Sequence, residues 1–302
     1  MPHQANIRRA WTYGLVGFAL LSLGDSVIKS IAREWPGTAA AALRFGLAAA
    51  GLGVLLWLRE GRAGFIAPRP RLQLARGAAM AFASLLFFLA IFVMPLAEAT
   101  AIQFANPTLA ALLSAALLRE RISRAAWGAI ILAFIGVLIV LRPNVEALGL
   151  AALLPLGAAL GMVALMMLNR RSVKDVSPLA AQFFGAAWCT PFLLGAALIG
   201  HLSGGKALAV SWPELSVVLR CALVAVSASI AHIFIFGATM RASAADIAPT
   251  VYVQIIVATI IGIMWFGDWP DPVALAGTAL IIAAGLWLWN GSRKSATPPE
   301  SG

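Results

Sequence analysis

Three ionisable side chains stand inside long apolar stretches of the sequence, Asp25 and Lys29 in the first and Arg44 in the second. Residues four apart share one face of a helix, so Asp25 and Lys29 can pair. At about 1.5 Å per residue, Asp25 and Arg44 both fall roughly 10 Å below the same end of their helices. An ionised group at that depth in hydrocarbon costs a few kcal/mol or more unless it is paired or wet. Two readings stand open for this trio. It locks the first two helices together, or it forms a gate or a polar cavity wall in which the ion pairs break and re-form.

Amides supply a second kind of chemistry. Asn106 and Gln254 can each donate and accept, and so hold a polar solute without an electrostatic trap. Gln103 lies one turn from Asn106, and Pro107 frees a backbone carbonyl beside it. Phe88, Phe104 and Tyr252 offer flat walls. His232 is a lone imidazole in an apolar run, and its unperturbed pKa near 6.5 suits proton coupling. Each has a plainer alternative: amides and a neutral histidine can bond between helices, and the aromatics can be core packing.

Other chemistries fit poorly. Neither H-E-x-x-H nor a cysteine-rich metal spacing occurs, and Cys189 and Cys221 lie in apolar company. Asp25 and Asp246 fall at opposite depths, which argues against a shared-proton dyad. No ring of like charge or filter-like run marks a channel. An enzyme, a cofactor and a metal are therefore not expected. The expected partners are a small solute and the lipid bilayer.

The elements that position these residues follow from composition. Of 302 residues, 61% are hydrophobic and 11% charged, with a mean hydropathy of +0.91. A soluble core cannot hide that much apolar surface. Ten stretches suit membrane crossing: 11–31, 37–58, 74–94, 98–118, 125–141, 149–168, 178–200, 214–237, 245–266 and 272–290. Helix is the state that satisfies the backbone in lipid. The first stretch reads as an uncleaved span.

The net charge of +10 would suggest nucleic acid in a soluble protein. Here Lys and Arg crowd one side instead, from Arg8 and Arg9 through Arg59, Arg62, Arg69, Arg71 and Arg76 to Arg293 and Lys294. The other side holds Arg33, Arg142 and Lys206, with Arg220 expected to snorkel outward. The positive-inside rule then sets both termini in the cytoplasm, and no nucleic acid is expected. Trp11, Trp35, Trp57, Trp212, Trp265, Trp287 and Trp289 fall near span ends, as interfacial anchors do.

The chain also repeats itself. Displaced by 148 residues, Glu98 falls on Asp246, Glu120 on Asp268, Phe104 on Tyr252 and Asn106 on Gln254. One further residue of shift sets Gly128 on Gly277 and Gly136 on Gly285. The halves read as 11–141 and 149–290, with short tails at 1–10 and 291–302. Five spans per half is an odd number, so the second copy enters the membrane from the opposite face. The expected fold is all-α, ten transmembrane helices in two inverted five-helix repeats. Carriers use inverted repeats to alternate between two faces, with the solute near the midplane.

Pro95 through Asn106-Pro107 to Leu118-Arg119-Glu120-Arg121-Ile122, followed by Gly128 and Gly136, resembles the EamA domain of the drug/metabolite transporter superfamily. Ala248-Pro249 through Phe266-Gly267-Asp268 to Gly277 and Gly285 resembles a second copy. The resemblance implies a carrier in the bacterial inner membrane that moves small organic metabolites, amino-acid-like or otherwise polar, often outward. Asp25, Lys29 and Arg44 further resemble a subgroup proposed to carry riboflavin, S-adenosylmethionine or metallophores, which implies the alternative of cofactor-type uptake. The cluster is not duplicated, because Leu165 and Asn169 stand at the matching positions of the second half.

Overall fold

The computed structural model describes residues 2–118, 124–172, 176–242 and 247–296. Helix is the only regular backbone among them. The helices are α1 (Pro2–Lys29), α2 (Gly37–Glu60), α3 (Pro70–Val93), α4 (Leu96–Gln103), α5 (Asn106–Leu118), α6 (Arg124–Leu148), α7 (Leu154–Ser172), α8 (Pro178–Leu202), α9 (Leu215–Thr239), α10 (Val253–Ile261) and α11 (Pro272–Ala296). Eight helical segments are long and apolar enough to cross a membrane.

The stretch 125–141 gives a shorter apolar run, Ala126–Arg142, within α6. The stretch 98–118 is broken: α4 stops at Gln103, Phe104 and Ala105 turn, and α5 restarts at Asn106-Pro107. Proline at the second position of a helix loses no intrahelical bond, which fits a restart better than a bend. The stretch 245–266 is equally irregular. It enters through a 3₁₀ turn, Ala248–Tyr252, and leaves through a wide π turn, Gly262–Phe266. Residues 2–10 and 291–296 of the two tails continue the end helices, since α1 begins at Pro2 and α11 runs to Ala296. Glu120 and Asp246 lie outside the described residues.

Local sequence sets the ends. Proline stands at the start of α3, α8 and α11 and just before α2. Ser177 Oγ accepts from the Ala180 N–H at 3.1 Å and caps α8. Gly267, at a φ of 68°, closes the turn after α10.

Helices pair in a regular way: α1 against α9, α3 against α7, α2 against α8, and α6 against α11. Small residues make the closest approaches. A Cβ on Gly136 would stand 2.7 Å from the Gly277 carbonyl oxygen, and one on Gly277 would stand 2.8 Å from that of Gly136. Gly157 and Gly161 of α7 face Leu86 and the backbone at Ala83 on α3, so this small-residue face serves packing within the chain.

On α9, Leu219, Leu223, Val226, Ile230 and Ile233 form one exposed apolar stripe, while Val217, Cys221, Val224, Ala225 and Ala228 are buried on the other side. Exposed apolar stripes of this kind are the lipid-facing surface. Trp11, Trp57, Trp212, Trp265 and Trp287 are exposed. Trp35 corrects the anchor expectation: it is buried, and its Nε1 donates to Ser211 O at 2.9 Å.

Candidate functional site

Arg44 projects from α2 into the middle of the bundle. Its guanidinium lies over the Phe45 ring at 4.2 Å and near the Phe88 ring of α3 at 5.9 Å. Asp25 on α1 and Cys189 on α8, with Cys221 and His232 on α9, all lie within its electrostatic reach. Arg44 Nε is buried without a hydrogen-bond partner. The residue as a whole is partly accessible. Its neighbours lie on four other helices.

Asp25 and Arg44 do not close to an ion pair. The expected Asp25–Lys29 pairing is also not what forms. Lys29 Nζ donates to Asp268 Oδ2 at 2.6 Å and to Met94 O at 2.9 Å, with the Phe266 ring 5.1 Å away. The reason is reach. Lys29 is the last residue of α1, so its long side chain extends past the helix end to the turns after α3 and α10, while Asp25 stays one turn deeper.

More polar bonds gather at this same end. Asn144 Nδ2 donates to Glu98 Oε2 at 2.5 Å, and both side chains are buried. Asp268, Asp271 and Lys29 act electrostatically on Glu98. Arg220 does not snorkel freely: it pairs with Glu34, with Nη1 to Oε1 at 3.0 Å, and also donates to Ser30 O at 3.2 Å. The Arg220 hydrogen bond holds the Glu34 carboxyl below its ordinary value.

Among the amides and aromatics, the closest relationship joins the two halves. The Phe104 and Tyr252 rings sit 5.9 Å apart at 59°, which brings the break after α4 beside the 3₁₀ turn before α10. Gly285 leaves the space that the Tyr252 hydroxyl fills. Ser22 Oγ of α1 donates to the Gln254 carbonyl at 3.0 Å. Gln103, Asn106 and Gln254 are each partly accessible, at or next to these backbone irregularities, while Phe88 is buried.

His232 Nδ1 lies 2.7 Å from Ala228 O. At about 100° per residue it falls on the side of α9 that carries Cys221, Ala225 and Ala228, opposite the lipid-facing stripe. Those residues are buried, yet His232 is exposed. Arg44 lies within electrostatic reach of this imidazole.

Sequence reasoning missed three polar partners. In sequence, Asp268 stands out only as the counterpart of Glu120, Arg76 only as one of the basic residues on one side, and Asn144 not at all. Arg76 is instead buried inside α3, with Nε donating to Asn169 Oδ1 at 2.7 Å and Nη1 to Gln73 Oε1 at 2.5 Å. The signal in each case was a polar residue within a turn or two of an apolar run.

Comparison with known proteins adds a family, three relatives and a solved structure. Residues 9–142 match the family model described as the EamA-like transporter family. A S-adenosylmethionine uptake transporter of Rickettsia bellii is 24% identical over 75% of this chain and 75% of its own length. An uncharacterized transporter of Helicobacter pylori strain J99 is 30% identical, covering 68% of each chain. A riboflavin transporter of Rhizobium johnstonii is 26% identical over 68% of this chain and 65% of its own. One solved crystal structure shares the fold with a TM-score of 0.61 at 20% identity, covering 95% of this chain and 99% of the other.

Proposed function

We propose that this chain, which belongs to the EamA-like transporter family of the drug/metabolite transporter superfamily, is an alternating-access carrier of a small organic metabolite. It is a multi-pass protein of the bacterial inner membrane. What supports the mechanism is that Asp25 and His232, both in apolar helices, lie within electrostatic reach of Arg44 and that all three residues are at least partly accessible. Bare hydrocarbon would not tolerate such groups, whereas a wet cleft does.

The ten-span, inverted-repeat reading draws support from how the helices pair. Counting α4 with α5 as the fourth span, spans one and eight pack as six and three do, and one meets nine as six meets four. Spans two and seven, four and nine, and five and ten pack on their own counterparts. An exchange of the halves, 11–141 with 149–290, leaves this pattern unchanged. The Phe104–Tyr252 contact joins residues that this exchange interchanges, and the Gly136–Gly277 contact joins spans five and ten. Spans five and ten, joined by those glycines, serve as support, and the other eight enclose the solute.

With both termini cytoplasmic, the end that holds Lys29, Asp268, Glu98 and Asn144 is the outer one. There α4 packs against α10, whereas α5, the inner half of the same span, packs mainly on α6 and α7. This favours a carrier closed outside and parted inside. Opening outward breaks Lys29–Asp268. Asn106, Gln254, Gln103, Tyr252 and Phe88 then serve as solute contacts, and His232 as a proton-coupling group.

Two relatives are named for S-adenosylmethionine uptake and riboflavin transport. Those names favour cofactor-type uptake over export of an amino-acid-like solute. The test is counterflow in proteoliposomes of purified protein, preloaded in turn with S-adenosylmethionine, riboflavin and amino acids. Saturable exchange is the expected result, and unitary conductance without counterflow overturns it in favour of a channel.

A further inference from the structure

We infer that Arg44 and Asp25 form a head-group subsite for a zwitterion, with the guanidinium edge taking a carboxylate and the Asp25 carboxylate taking an ammonium, as on an α-amino acid. This deepens the carrier reading and rests on it.

Three features carry the inference. The first is an unmet donor. Arg44 Nε is buried without a hydrogen-bond partner, and buried charged donors are normally satisfied. The second is orientation. The guanidinium carbon lies over the Phe45 ring, 4.2 Å from its centroid, and a carboxylate binds a guanidinium in its plane, across an N–H edge and not through the ring-facing side. The third is the charge opposite. Asp25 acts on Arg44 without touching it, and Lys29, its neighbour one turn away, is engaged by Asp268 and Met94.

That third feature selects the class of ligand. A lone anion drawn to Arg44 would meet repulsion from Asp25, and a lone cation would meet Arg44. A group carrying both signs satisfies each side and leaves the interior neutral. The Phe88 ring, 5.9 Å from the guanidinium, borders the subsite on the α3 side. Riboflavin, which has neither group, would leave both side chains unmet.

The experiment is ligand binding to the purified full chain in detergent, read by thermal stabilisation. The probes are S-adenosylmethionine, its decarboxylated analogue, methylthioadenosine, L-methionine, methionine methyl ester and riboflavin. At least one zwitterion is expected to bind, with removal of its carboxylate or of its whole head weakening binding at least ten-fold. Arg44→Gln should bring S-adenosylmethionine down to the level of the decarboxylated analogue, and Arg44→Lys should fall between. Asp25→Asn should weaken zwitterions while sparing methylthioadenosine. The analogue series on the unaltered chain tests the subsite even where a variant does not fold. Equal binding of zwitterions and truncated probes, preference for riboflavin, or no zwitterion binding at millimolar concentration overturns the assignment. Riboflavin counterflow indifferent to Arg44→Gln would overturn the subsite and leave the carrier standing. A zwitterion that binds but shows no counterflow would do the reverse.

Discussion

Lys29 at the end of α1 and Asp268 in the turn after α10 are 239 positions apart in sequence and bonded at 2.6 Å. Both side chains are largely shielded from solvent, and Met94 O accepts a second bond from the same ammonium. A contact that draws three helix ends together is a latch for that end of the bundle.

Removing the latch should favour the outward-open state. Losing about one or two kcal/mol moves a two-state equilibrium roughly five- to thirty-fold. Cys189 and Cys221 are buried beside Arg44, so they report on wetting of the interior. In Lys29→Met or Asp268→Asn, an impermeant maleimide added outside cells should label them about five- to thirty-fold faster. Unchanged labelling would mean that the outer end closes by other contacts.

Asn106→Ala and Gln254→Ala should each lower the initial rate of uptake about ten-fold, as the loss of one polar contact of roughly 1.4 kcal/mol would. Membrane insertion and yield should stay unchanged. Full activity in both variants would remove these amides from the solute path.

His232→Gln should abolish uptake driven by an imposed pH gradient while sparing counterflow, which needs no net proton movement. Loss of both activities equally would make His232 a packing residue.

The contact of Gly136 with Gly277 leaves no room for a methyl group, because a Cβ on either would meet the other's carbonyl oxygen under 3 Å. Gly136→Ala and Gly277→Ala should each destabilise the protein by about 1–3 kcal/mol through overpacking. Gly195, with nothing within 4 Å of its virtual Cβ, is the control, and Gly195→Ala should leave the melting temperature unchanged or slightly higher.

Glu34 supplies a pH signature. Its carboxyl is held below the ordinary value by Arg220, so the pair's contribution is fully present above about pH 4.3 and is lost as pH falls through the lowered value. The gain is small, about 1 kcal/mol or less for a pair this exposed. The melting temperature of Glu34→Gln should lie slightly below that of the unaltered chain at neutral pH and meet it in acid.

Much of the helical layout was legible because a spanning helix announces itself by length and hydropathy. The 148-residue repeat aligned Phe104 with Tyr252 but announced neither their contact nor the restart at Asn106-Pro107. Partner choice was not. Asp25 and Lys29 share a helix face, but the winner for Lys29 is a carboxylate remote in sequence that only the packing of α10 brings near. Arg76 was misplaced because positive charge near a span end reads as a loop. Its buried bond to Asn169 depends on the close approach of α3 and α7, for which Gly161 is the clue.

Asn169, which answers to Lys29 in the other half, is uncharged and is taken up by Arg76. The matching positions of the two halves are thus held by unlike chemistry, an ion pair at Lys29 and an amide bond at Asn169. On the alternating-access reading, a carrier with its ionic contact at one end alone rests facing inward when emptied of cargo, and its slow step is the journey back. Cargo preloaded on the inside should hasten that journey, so exchange should outrun net accumulation.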